Sequence, residues 1–82
     1  MGRLGESNAP ASRATAITPD DDADLSFKTR FIFVGGAGDL KVDTLSGDTV
    51  TFTGVTAGSV YPIRAKKVYA TGTTATNLVG MY

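Results

Sequence analysis

Two stretches of this chain carry residue types that do chemistry in other proteins. Asp20, Asp21, Asp22 and Asp24 place four carboxylates within five positions, the hard-oxygen chemistry of a calcium loop. "VGGAGD", Val34 to Asp39, has three glycines after an apolar run, the makings of a backbone cradle for phosphate. Spacing tests both. A calcium-binding helix–loop–helix needs acids at alternating positions, a central glycine and a closing glutamate, whereas Asp24 is followed by Leu25, Ser26 and Phe27. The acidic run therefore reads as a solvated arm or loop. A phosphate cradle needs a strand, a glycine loop and then a helix whose N-terminus supplies donors. Here the glycines lead into "LKVDTL", Leu40 to Leu45, which alternates with the period of a strand. The stretch reads instead as a hairpin connection, with Gly38 free to take positive φ and Asp39 bonding to the turn backbone.

Composition removes most remaining chemistry. The chain has no cysteine and no histidine, which excludes thiol nucleophiles, histidine bases and the usual zinc and iron–sulfur ligand sets. No metal and no cofactor is expected. Asp39, Asp43 and Asp48 lie in or beside expected turns, in a chain too small for the cleft a carboxylate pair needs to hydrolyse a glycoside. The protein is expected not to be an enzyme, with no catalytic residue to name. Eight basic and eight acidic residues cancel, so no overall field draws the chain to nucleic acid or to anionic membrane. Neither is expected as a partner. Arg64 to Lys67, "RAKK", is the one basic cluster; it reads as a solvated or edge-protecting strand face, or as a partner for the aspartates of a neighbour's arm. No apolar run approaches the ~18 residues of a membrane span. "MGRLGESNAPASR" at the start lacks the apolar core of a secretory signal, and Glu6 stands where a myristoylation site needs Ser or Thr. A soluble, unsecreted chain is the expectation.

The elements that position these residues fall into two unlike halves. Residues 1–24 are rich in Gly, Ser, Asn, Pro, Ala and Asp, with Ile17 the only large apolar residue after Leu4. Such a segment buries too little surface to offset its own ordering, so it is expected as an extended N-terminal arm, with "TAITPD" able to lie as a short strand ending at Pro19. Residues 25–82 form the expected β-domain. Aromatic and β-branched runs there are punctuated by glycine-rich turns, the signature of short strands. Strands are expected over Thr29–Gly35, Asp39–Leu45, Asp48–Thr53, Ser59–Ala70 and Thr76–Tyr82. The fold class is all-β, a small antiparallel barrel or sandwich of about five to six strands. "VYPIRAKKVY" loses strict alternation at Lys66 and Lys67, which predicts a bulge there, and Pro62 restricts the first part of that run to a sheet edge or strand start.

A chain this size, with no disulfide or metal staple, has an interior that barely offsets the entropy of ordering it. Subunit contacts are therefore expected to complete the core, and the arm to wrap a neighbour. "FIFV", Phe31 to Val34, has apolar residues on both faces, as a central or subunit-covered strand does. Phe31, Phe33 and Tyr61 are the expected contact residues, with Arg64 and Lys67 as polar supplements and Met81 and Tyr82 at the apolar C-terminal strand.

"AITPDD" (Ala16 to Asp21), "VGGAGDL" (Val34 to Leu40), "DTVTFTGV" (Asp48 to Val55) and "YATGTTATNLVGMY" (Tyr69 to Tyr82) together resemble the head spike base family of gene transfer agents and tailed bacteriophages. The resemblance spans almost the whole chain from Ala16, in the same motif order. It implies a structural virion protein, made in the bacterial cytoplasm and placed on the capsid surface. It further implies a pentameric ring at a capsid vertex that holds a spike or fibre for host attachment, with itself, the capsid protein and the spike or fibre protein as partners. The alternatives are a carbohydrate-binding protein, using Tyr61, Tyr69 or Tyr82, and a tail or decoration protein of the same fold.

Overall fold

The computed structural model describes residues 11–82, so the first ten residues of the expected arm lie outside the described residues. Seven strands follow in chain order: β1 (Ala14–Ala16), β2 (Phe31–Gly36), β3 (Gly38–Thr44), β4 (Thr49–Val55), β5 (Ser59–Tyr61), β6 (Ala65–Val68) and β7 (Thr76–Met81). They pair antiparallel in two sheets, β1-β7-β2-β5 and β4-β3-β6. The fold is an all-β sandwich.

These strands stand where five were expected in the β-domain and a short one was allowed in the arm at "TAITPD". Ala14–Ala16 adds to the edge of β7. The single run expected over Ser59–Ala70 divides into β5 and β6, which belong to different sheets. Pro62 lies at the division and has no N–H to continue a ladder, while the Ile63 amide donates to Tyr61 O at 2.9 Å in a local turn. Within β6 the register shifts by one residue, Asp43 opposing Lys67 and Thr44 opposing Ala65. Lys66 is the inserted residue, the bulge that broken alternation predicts, and it returns Val68 to the interior, where it is buried.

The glycine stretch does not form a hairpin. β2 and β3 lie in different sheets and do not pair, so Gly35 to Gly38 carries the chain over a corner of the sandwich. The corner needs glycine for close approach: a Cβ on Gly38 would lie 2.6 Å from both the Ala75 nitrogen and the Thr74 hydroxyl. Asp39 also bonds farther afield than its turn. Its carboxylate accepts from Gly54 N at 3.0 Å, while its backbone oxygen accepts from Thr74 N and Ala75 N, fastening β3 to the loop before β7.

Period-two alternation fills the space between the sheets. Ile32 and Val34 from β2, Leu40 and Val42 from β3, Val68 from β6 and Leu78 from β7 meet there. Thr29 is the one buried polar residue among those described. Its hydroxyl donates to Ile63 O at 2.6 Å and accepts from Ala65 N at 2.9 Å, satisfying two backbone groups at the break between β5 and β6.

The described part of the arm folds along its own chain. Ile17 is buried in the core, and its amide donates to Leu78 O. Farther on, Asp20 N donates to Val68 O and Leu25 N to Lys66 O. Residues 14–25 thus pass from the β7 edge of one sheet to the β6 edge of the other and close that side of the sandwich. On the opposite side, among the described residues, β4 and the short β5 remain as edges.

Candidate functional site

The two outer faces of the sandwich differ in chemistry. On the β4-β3-β6 sheet, cross-strand register aligns Thr49, Asp43 and Lys67 in one row and places Lys41 opposite Thr51. Asp43 accepts hydrogen bonds from the Thr49 hydroxyl and from the Tyr69 hydroxyl, the latter at 2.9 Å. The Tyr69 ring lies 4.8 Å from Lys41 Nζ and 5.2 Å from Lys67 Nζ. Lys67 also reaches Asp24 at 3.9 Å and the Asp21 carbonyl oxygen at 3.2 Å. The basic cluster and the acidic run therefore meet within one chain. Asp21 in turn accepts from both the amide and the hydroxyl of Thr71. This is the hydrogen-bonded polar face of a sheet that meets water.

These bonds shift two carboxyls. The Thr71 hydroxyl holds Asp21 below its ordinary pKa, and the Thr49 hydroxyl, helped by Tyr69, does the same for Asp43. Because both folded-state values lie below the unfolded ones, the stability they contribute is complete above about pH 4 and is lost as pH falls through the folded values. Melting curves are expected to keep a constant midpoint from neutral pH down to about 5 and to fall below about 4. In an Asp21→Asn, Asp43→Asn variant that acid decline should be shallower than in the parent protein.

On the β1-β7-β2-β5 sheet the outward positions are apolar instead. Ala14, Met81 and Phe31 stand side by side in one row, and Ala16, Val79, Phe33 and Val60 in the next. Alternation explains why: Ile32 and Val34 point inward and are fully buried, so Phe31 and Phe33 must point out. Phe31, Phe33, Val79 and Met81 are half-buried by one another, Ala14 and Ala16 are exposed, and Val60 is 50% exposed. No charged residue interrupts the two rows. Antiparallel sheets usually turn a polar face to water; this one presents a contiguous apolar face instead.

The comparisons with known proteins follow the same direction. No model of a known family matches the sequence, and no curated protein matches it. A chain in the solved capsid of a native gene transfer agent particle, computed with C5 symmetry, is 42% identical to this one with a TM-score of 0.85, over 96% of this chain and 92% of that chain. This chain belongs to that particle-protein family. Of the particle protein's seven expected contact residues, Phe31, Phe33 and Met81 come together on the apolar face. Tyr61 does not: it pairs with Ile32 on the inner side of the same sheet, packs against the core, and accepts from Thr56 N at 2.9 Å. Tyr82 stacks on Phe27 with ring centroids 4.3 Å apart and shares a 3.0 Å hydrogen bond with Thr15, so it clamps β1 in its own subunit. Arg64 is exposed between β5 and β6, and Lys67 belongs to the polar face. Val60 and Val79 complete the apolar rows and escape sequence reasoning. Val60 lies two residues before Pro62 in a run that looks like one long strand, and only the register of β2 assigns it a face.

Proposed function

We propose that this particle protein is a head spike base: a ring of five copies seated at a capsid vertex, joining the capsid to a spike or fibre. The observation that carries this reading is the 42% identity, over nearly the full length of both chains, to a chain in a gene transfer agent capsid computed with C5 symmetry. The apolar sheet face supports it, because a surface of that kind in contact with water lowers solubility and is covered in an assembled particle. In this reading the role is non-enzymatic, the ring works by packing against its neighbours, residues 1–24 serve as the arm, and residues 25–82 serve as the body. The tyrosines do not favour sugar binding, since Tyr61 packs on the core, Tyr69 lies beneath two lysines and Tyr82 is stacked on Phe27.

Native mass spectrometry of the full chain tests the ring directly. Five copies is the expected mass; three or six would redirect the reading to a tail or decoration position, and a monomer at every concentration would remove it. Adding the ring to capsids that lack it should then deposit density at vertices in particle images.

A further inference from the structure

A ring of five has no twofold axis, so a surface used in it cannot meet its own copy and must meet a different surface of the next subunit. If the apolar face of the β1-β7-β2-β5 sheet is used in such a ring, its partner is an unlike apolar surface. Leu45 and Val50 are the other large hydrophobic residues exposed among those described, 41% and 38% exposed. Both lie toward the turn of the β3–β4 hairpin.

The geometry of β4 explains their exposure. Val50 and Phe52 pair with Val42 and Leu40, both fully buried, and so point to the core side of their sheet. Yet Val55 is the only residue of β4 that is buried; Phe52 is half-buried, packed in part against the core, and Val50 is exposed. β4 is an edge strand, and on its side of the sandwich β5 stops after three residues, ahead of Pro62. The opposing sheet is thus too short to cover it. The other side differs, because residues 14–25 close it with hydrogen bonds to Leu78, Val68 and Lys66. Among the described residues β4 is left as a ledge, with an apolar underside and seven residues of open edge that contain no charge and no proline.

We propose that the occupant of this ledge is a second copy of the chain: the underside of β4, through Val50 and Phe52, seats on the Phe31, Phe33 and Val60 face of the adjacent subunit. This rests on the ring reading above. Each subunit then offers one ledge and one face, and repetition of the same unlike contact around the axis covers both. The polar sheet, with Asp43, Lys67 and Tyr69, stays outside the contact.

The chain has no cysteine, so engineered thiols report cleanly. Val50→Cys and Val60→Cys, singly and together, are to be treated with a short bismaleimide crosslinker, with folding checked by circular dichroism and copy number by native mass spectrometry. The double variant is expected to give a ladder of covalent species ending at the closed ring, while each single variant stays uncrosslinked. Covalent dimers of the Val60→Cys single variant would show the face meeting itself and overturn the proposal. A five-copy mass without a ladder in the double variant would overturn it while leaving the ring intact. A monomeric mass would overturn both. As a second check without thiols, Val60→Asp is expected to abolish the five-copy species while keeping the monomer folded; a ring that persists would also reject the contact.

Discussion

Ile32→Ala lowers the melting temperature of the isolated subunit by at least about 10 °C, while Phe33→Ala, one residue along the same strand, shifts it by no more than about half as much. Ile32 is fully buried on the inner side of β2, where truncation of a large aliphatic side chain leaves a cavity and costs about 2–5 kcal/mol. In a domain of this size each kcal/mol moves the midpoint by about 4–8 °C. Phe33 faces outward and keeps part of its surface in water, so its removal forfeits less burial in a lone copy. Circular dichroism melts at low protein concentration make the comparison. In the proposed ring the Phe33→Ala deficit should grow as concentration rises, because a subunit contact through this face would add to the stability of the parent protein alone. Equal effects of the two substitutions at low concentration would contradict the assignment of opposite faces.

Thr29→Val destabilises by about 2–4 kcal/mol although it preserves shape, because it leaves the Ala65 amide and the Ile63 carbonyl without the hydroxyl that serves both. Thr29→Ser keeps the hydroxyl and loses one methyl group, worth about 1 kcal/mol. The expected order of urea midpoints is therefore parent, Thr29→Ser, Thr29→Val. A valine variant as stable as the parent would mean that the bridge carries no net energy. The effect is large for one side chain because the hydroxyl occupies the point where the chain leaves one sheet for the other. No ladder partner is available there, and an unpaired buried amide has no access to water.

Much of this protein is written in local pattern. The alternation of "LKVDTL", the bulge at Lys66 and the edge character imposed by Pro62 all appear in the sandwich, because side-chain period and proline chemistry act within a few residues. The lack of cysteine and histidine is likewise a property of composition. It narrows the chemistry without reference to shape.

Tertiary structure decided what local pattern left open. "VGGAGD" has the same composition whether it closes a hairpin or turns a corner between sheets; the corner is selected by long-range pairing of β2 with β7 and of β3 with β6. "FIFV" announces two apolar faces, but only cross-strand register gathers Phe31, Phe33, Val60, Val79 and Met81 into one surface and turns Tyr61 away from it. Val50 alternates as a core residue should and is exposed all the same, since burial depends on whether an opposing sheet reaches that far. Periodicity specifies which side of a strand is apolar; what covers that side is set by segments distant in the chain.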